Sequence, residues 1–192
     1  MMSAEPLPDS YADLVRLFNG LFQPSHATIL VPGGDEPEYL PADGECRWNR
    51  IVFAHGFYAS ALHEVSHWCI AGHRRRQLYD YGYWYEPDGR DGDSQAMFEQ
   101  VEARPQALEW LFTVAAGRRF HLSMDNLAGE VPGQRERFAE RVHAEVRRCL
   151  DEAMPPRAAR FLDALQAFYG TRHYFQGYPF TRAQLIGSEE VQ

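Results

Sequence analysis

Lysine is absent from this chain of 192 residues, because all 19 basic residues are arginine. This absence excludes Schiff-base catalysis and any catalytic mechanism that uses a lysine nucleophile. No hydrophobic run approaches the roughly 18 residues that a membrane-spanning helix needs. Residues 1–8 have neither the basic stretch nor the apolar segment of a secretory signal. We therefore expect a protein that has no membrane segment and is not exported.

Cysteine is scarce as well, with Cys46, Cys69 and Cys149 far apart in the chain. They form no CxxC pair and no zinc-finger spacing, so we expect reduced thiols in a cytoplasmic protein. Positive charge is also limited: 27 acidic residues against 19 basic ones give a formal net charge of -8. Because phosphate contacts need a basic surface, the charge balance argues against nucleic-acid binding.

Hydrophobic residues make up 45% of the chain and aromatic residues 14%, which excludes a largely disordered protein. We predict one domain over residues 1–192, of the α+β class, rich in helix and with a small sheet, its tail after about residue 170 unassigned. The first predicted helix begins at Asp9 or Ser10 and ends at Asn19-Gly20 or at Pro24. Further helices are predicted over residues 58–71 with Gly72 as the C-cap, 94–117 with an interruption or kink at Pro105, 134–150 and 156–169. Strands are predicted over residues 26–31, 51–54 and 79–85, turns over residues 35–47, and irregular structure after Gly170.

The most informative motif is His63-Glu64-Val65-Ser66-His67, an HExxH sequence within the second predicted helix. Residues four apart lie on the same face of a helix, so the two imidazoles can reach a single metal ion. Glu64 is placed to contact a metal-bound water without being a ligand itself. We therefore predict a metal site with His63 and His67 as ligands and Glu64 as the catalytic residue.

Two histidines leave a metal ion under-coordinated, so a third ligand is expected further along the chain. Glu99 and Glu102 are three residues apart on one predicted helix, and a kink at Pro105 would aim Glu102 inward. We predict Glu102 as the third ligand and Glu99 as a residue that supports the ligands. His55 follows a predicted buried strand, where it is expected to support the site, whereas His73 is expected to be exposed.

A set of two histidines and one carboxylate is compatible with more than one function. It suits hydrolysis by a zinc metallopeptidase, with Glu64 as the base. It equally suits a non-haem Fe(II) centre that binds O2 at its open positions. A binding module stabilised by a metal and without turnover is a third possibility, and the ligands alone do not separate the three.

Two further segments are candidate substrate contacts. The aromatic residues Tyr83, Trp84 and Tyr85 could form a wall of the metal cleft that holds an aliphatic or cationic side chain. Arg74, Arg75 and Arg76 form the only basic cluster near the motif, and they could guide an acidic partner. The alternatives are a half-buried strand for the aromatic segment and a solvated helix end for the arginines.

From about Leu14 to Tyr169 the sequence resembles the elongation factor P hydroxylase family. The strings that carry the resemblance are Asp35–Pro37, Tyr39–Asp43, Asn49–Ala61, His63-Glu64, Ser66–Gly72, Gly82–Tyr85, Pro87–Asp91, Phe98-Glu99, Val101-Glu102, Pro105–Leu108, Val114–Gly117 and Asp125–Leu127. One departure is His73, where relatives carry lysine. The segment after Gly170 has no match in this resemblance.

The resemblance implies a cytoplasmic enzyme that hydroxylates a β-lysylated lysine of elongation factor P, as the final step of that modification. It also implies a zincin-like scaffold with a divalent metal, expected to be Fe(II), at His63, His67 and Glu102, and O2 as the co-substrate. These strings favour the hydroxylase over the metallopeptidase. The sequence shows no clear anchor for 2-oxoglutarate, so that co-substrate remains open.

Overall fold

A computed structural model describes residues 11–82, 92–124 and 133–186, with only the backbone for residues 92–100. The helices are α1 Ala12–His26, α2 Tyr58–Ile70, α3 Gly92–Ala115, α4 Gln134–Asp151, α5 Pro156–Tyr169, α6 Arg172–Gln176 and α7 Ala183–Ile186. The strands are β1 Thr28–Pro32, β2 Glu38–Leu40 and β3 Asn49–Phe53, and short 3-10 turns cover Ala54–Gly56, Arg75–Gln77 and Tyr79–Gly82. This content confirms the prediction of a helix-rich α+β fold with a small sheet. No helix within the described ranges combines the length and apolar character needed to cross a membrane.

The sheet has the order β1-β3-β2, with β1 parallel and β2 antiparallel to the central strand β3. Ile51 on β3 is aligned with Leu30 on one side and with Tyr39 on the other, and all three side chains are buried. The sequence analysis placed residues 38–40 in a turn region. A strand of three residues is too short for its periodicity to be recognised in the sequence. β2 is a strand because it pairs with β3.

An aromatic cluster joins α1, α2 and α5 in the core. Phe18 and Phe22 are one turn apart on α1, and their rings lie 5.3 and 4.8 Å from the ring of Trp68 on α2. Phe161 of α5 lies 5.8 Å from Phe18. All four side chains are fully buried, so this cluster fixes α2 against two other helices.

The first helix ends later than predicted, since α1 passes through Pro24 and ends at His26. Asn19 does not end the helix, because its side chain bonds to β1: Oδ1 accepts from the Leu30 N–H at 2.7 Å, and Nδ2 donates to the Leu30 carbonyl at 3.3 Å. The strand predicted from residue 26 therefore begins only at Thr28. Likewise, Pro105 lies within one continuous helix α3.

The end of α2 also differs from the prediction. Gly72 is exposed and does not cap the helix; the C-cap is Ala71. Arg157 of α5 donates from Nη2 to the carbonyls of Trp68, Cys69 and Ala71 at 2.6–3.1 Å. Arg76 donates to the Ala71 carbonyl as well, at 2.6 Å. Two arginines therefore satisfy the last carbonyls of α2, which the prediction assigned to a glycine cap.

The tail after Gly170 is not irregular, because it forms α6 and α7. Phe175, Phe180 and Leu185 from this segment are buried. The ring of Phe180 lies 5.3 Å from Trp110 of α3, so the described part of the tail packs on the helix that carries Glu102.

Candidate metal centre

The HExxH segment forms the middle of α2, and four side chains between or near the two histidines are buried: Leu62, Val65, Ser66 and Cys69. This packing holds one side of the helix in the core. His63 and His67 lie on successive turns at the edge of that side and are partly exposed. Their Nε2 atoms are 3.1 Å apart, so the two imidazoles converge on one point.

The third member of the cluster comes from α3, which packs against α2. The carboxylate of Glu102 is buried, with Oε2 3.4 Å from Nε2 of His63 and Oε1 3.4 Å from Nε2 of His67. The structure thus brings together the three residues predicted as ligands, with one donor atom from each lying within 4.8 Å of the others.

The spacing of these donors fits one divalent cation. Ligand atoms at about 2.0–2.2 Å from a shared cation lie roughly 3.0–3.5 Å from each other. The observed separations of 3.1 and 3.4 Å fall within that range. Imidazole nitrogen and carboxylate oxygen are also donors that Zn²⁺ and Fe²⁺ both accept.

The electrostatics of the cluster favour a negative Glu102 beside positive charge. Burial opposes ionisation of Glu102, but the adjacent imidazoles of His67 and His63 outweigh it and hold the pKa of this carboxyl well below its usual range. Burial likewise disfavours a charged His63, yet hydrogen bonds to Glu102 and Glu109 raise its pKa well above the usual value. A site that stabilises imidazolium in this way is suited to a bound cation.

Glu64 lies next to this cluster on α2 and is partly exposed. Burial raises its pKa, and the neighbouring His63 and His67 offset that increase only in part. The negative charge of Asp80 raises the pKa of Glu64 further, and burial together with the charge of Glu64 raises the pKa of Tyr81. The carboxyl of Glu64 therefore keeps its proton more readily than the carboxyl of an exposed glutamate does.

Glu109, which the sequence analysis did not identify, is a further polar residue of the site. Its Oε2 lies 2.8 Å from Nδ1 of His63, and the side chain is nearly buried. Glu109 follows Glu102 by seven residues, which is two helical turns, so both carboxylates face α2. That spacing is the signal in the sequence that points to Glu109.

The other predicted supporting residues lie elsewhere or outside the described residues. The half-exposed ring of His55 packs on Phe57 at 5.3 Å, and its Nδ1 lies 3.9 Å from Asp35, so these contacts are with residues other than the three predicted ligands. A positive φ of 54° at His55 turns the chain between β3 and α2. Glu99 belongs to α3, but its side chain is outside the described residues.

The predicted aromatic strand over residues 79–85 is wrong for its described part. Tyr79–Gly82 is a 3-10 turn in which Asp80 and Tyr81 have positive φ values of 43° and 57°. Asp80 accepts a hydrogen bond from the Tyr39 N–H at 2.7 Å, and the ring of Tyr81 stacks on Tyr39 at 4.3 Å. These contacts offset the strain of the left-handed backbone. Tyr83, Trp84 and Tyr85 lie outside the described residues.

The basic cluster is only partly available to a partner. Arg74 and Arg75 are exposed, and Arg75 donates to the Tyr81 carbonyl at 3.0 Å. Arg76 is partly buried, because its side chain bonds to the end of α2. His73 is exposed, as expected. Leu78 and Tyr79, which follow the cluster, are large hydrophobic residues that are more than half exposed.

Comparison with known proteins gives consistent matches over most of the chain. A family model described as elongation factor P hydroxylase matches residues 17–177. A protein of Haemophilus influenzae named elongation factor P lysine hydroxylase is 50% identical over 159 residues, which are 83% of this chain and 89% of that protein. The family match continues past residue 170, so the segment that forms α6 is shared with relatives, contrary to the sequence analysis.

Proposed function

The chain belongs to the elongation factor P hydroxylase family, and from this premise we propose that it hydroxylates a lysine side chain of elongation factor P. The observation that carries the proposal is the convergence of His63, His67 and Glu102 on one point in a member of that family. We further propose that the lysine already carries a β-lysyl group, that the reaction takes place in the cytoplasm, and that the scaffold is zincin-like.

The three convergent donors are proposed to hold Fe(II). Two histidines and one carboxylate leave coordination positions open, and iron bound there supplies the oxygen chemistry of a hydroxylase. Glu102 contributes the one negative charge among the three donors, and its burial keeps water from competing for the carboxylate. His63 and His67 contribute neutral nitrogen donors from one rigid helix.

Glu64 is the proposed catalytic residue of the chain itself. Its raised pKa allows it to keep a proton and donate it, or to accept one from the substrate amine as that group settles in the cleft. Because it sits beside the ligands on the same helix, its distance from them is fixed by helical geometry. This role needs no cleavage of a peptide bond.

The surface around the centre suits a modified lysine, which is cationic. Glu64, Glu102 and Glu109 make the site acidic. We propose that Tyr83, Trp84 and Tyr85 line the path of the aliphatic chain, and that Arg74 and Arg75 contact an acidic face of elongation factor P. Arg76 contributes to α2 instead, so we leave it out of the docking surface.

The proposed reaction is tested by intact-mass analysis of β-lysylated elongation factor P after incubation with the protein, Fe(II), O2 and a two-electron reductant such as ascorbate. One oxygen atom enters a C–H bond and the other leaves as water, so a reductant is required. We expect a gain of one oxygen atom, and parallel reactions with and without 2-oxoglutarate show whether it serves as the reductant. A cleaved product of lower mass would instead indicate the metallopeptidase.

Glu64→Gln separates catalysis from metal binding. The amide cannot exchange a proton, so we expect the variant to lose at least about 100-fold in hydroxylation rate, the size of a typical acid–base contribution. Its metal content should equal that of the parent, since Glu64 is not a ligand. Metal analysis of the purified proteins and the mass assay measure the two effects. Full activity in Glu64→Gln would show that Glu64 is not the catalytic residue.

A further inference from the structure

We infer that Glu109 is a positioning residue of the metal centre, which fixes the imidazole of His63 with Nδ1–H toward Glu109 and Nε2 toward the cation. The inference rests on the proposed function, because it assumes that His63 is a ligand. It adds a residue and a role that neither the HExxH motif nor its third ligand supplies.

The contact geometry is specific to one ring nitrogen. Nδ1 of His63 is 2.8 Å from Oε2 of Glu109, which is the distance of a charge-assisted hydrogen bond. Nε2 of the same ring is 3.4 Å from Glu102 and 3.1 Å from Nε2 of His67. His63 is therefore held between two carboxylates of α3, one on each nitrogen.

The chemistry of the two groups fixes the direction of this hydrogen bond. An ionised carboxylate only accepts, so Nδ1 must carry the hydrogen when it bonds to Glu109. In a neutral imidazole the lone pair is then on Nε2, the atom that faces His67 and Glu102. The ring orientation that metal binding requires is thus set before any cation arrives, and Nε2 gives up its own proton when the cation binds.

The two histidines differ in the contacts of their Nδ1 atoms. Within the described part of the chain, His67 makes its polar contacts through Nε2, and no carboxylate bonds to its Nδ1. A negative charge behind His63 alone should make that imidazole the stronger donor of the pair. Removing the charge should therefore weaken metal binding although no ligand is lost.

The alternative is that Glu109 only links α3 to α2. Gln106 provides a matched control, because it is a buried polar residue on α3, three positions before Glu109. Among the residues that the structure describes, its side chain bonds to the backbone of Ser123, with Nε2 donating at 2.8 Å and Oε1 accepting at 3.1 Å. Gln106→Leu therefore removes buried hydrogen bonds from the same helix without touching His63.

The test compares Glu109→Leu, Glu109→Gln and Gln106→Leu with the parent by Co²⁺ titration of the metal-free proteins and by urea unfolding. We expect about 10- to 100-fold weaker Co²⁺ binding in Glu109→Leu, the usual cost of losing a residue that orients a ligand. Glu109→Gln keeps an acceptor oxygen and should lose less. Gln106→Leu should lose stability but bind Co²⁺ as the parent does.

Two results would overturn the inference. One is parent-like Co²⁺ affinity in Glu109→Leu. The other is a hydrogen on Nε2 of His63 instead of Nδ1 in the zinc-loaded parent, observed by ¹⁵N NMR. This measurement does not depend on whether the variants fold. If the parent protein bound no metal ion, the proposed metal site would itself be wrong, and the inference about Glu109 would have no basis.

Discussion

Glu99 and Glu102 are the same residue type on the same helix, yet we assign them different roles. Glu102 contacts both imidazoles, so Glu102→Gln replaces a charged ligand by a neutral and weak one. We expect it to weaken Co²⁺ binding by more than about 100-fold, above the 10- to 100-fold range of supporting residues. Glu99→Gln should stay within or below that range. The reverse order in the titration would mean that the two roles are exchanged.

Burial also affects residues away from the metal ligands. It raises the pKa of Cys69 from its usual 9.0 to about 12, against the opposing effect of Arg157 and Arg76. Burial likewise raises the pKa of Tyr39 from 10.0 to about 12. Between those values the unfolded chain loses protons that the folded chain keeps, so stability falls as pH rises.

We therefore expect the free energy of unfolding to decrease steadily from about pH 9 toward pH 12 in the metal-free protein, as these two groups ionise only in the unfolded chain. Urea unfolding at several pH values measures this slope. Cys69→Ala removes one titrating group and should flatten the lower part of the curve, near pH 9–10. An unchanged slope in that variant would show that Cys69 does not contribute.

At the level of elements, α2 depends on α5 for its C-terminal end. Arg157 satisfies three carbonyls and stacks over Trp68 at 4.7 Å. We expect Arg157→Ala to lower the free energy of unfolding by about 2–3 kcal/mol, the cost of losing hydrogen bonds from a charged donor. The control Arg147→Ala removes an exposed pair with Asp151 on α4 and should cost about 0.5 kcal/mol or less. Equal losses in urea unfolding would contradict the capping role.

The sequence predicted the elements whose periodicity is strong and local. The HExxH spacing and the choice of Glu102 agree with the geometry, because i,i+4 pairs and an inward helix face are local properties. Glu109 was missed, since its role depends on which nitrogen of His63 it reaches across two helices. The strand predicted at Tyr79 and Tyr81 failed for a similar reason: their alternation reflects a turn stabilised by Tyr39, about 40 residues earlier.

The ends of elements were also set by distant residues. Gly72 looked like a helix cap, but arginines from outside the helix satisfy the last carbonyls of α2. Asn19 looked like a helix stop, but it joins α1 to β1. Arg157 and Asn19 are polar residues whose partners cannot be read from their neighbours in sequence.

At the level of the whole molecule, the net charge of -8 opposes approach to an acidic partner. Exposed Arg74 and Arg75 offer local positive charge close to the end of α2, so we expect them to assist the encounter. Arg74→Ser with Arg75→Ser should lower kcat/KM for elongation factor P by about threefold to tenfold at low salt, with unchanged metal content.

The loss of kcat/KM in the variant without Arg74 and Arg75 should become smaller as the salt concentration rises, because the screening length falls to about 8 Å near physiological ionic strength. The matched control is Arg147→Ser with Arg148→Ser, which removes equal charge from the exposed face of α4. We expect this control to have a much smaller effect. If both double variants behaved alike, net charge alone would explain the change and the docking face would lie elsewhere.

The contact between Arg157 and α2 also implies an order in time during synthesis. His63, His67 and Glu102 all leave the ribosome before Arg157, the last ligand preceding it by 55 residues (157 minus 102). At roughly 5–20 residues per second, that interval lasts about 3–11 s. During those seconds His63 and His67 lie on a helix whose last carbonyls still lack Arg157, so we expect secure retention of a cation to begin only when α5 is in place.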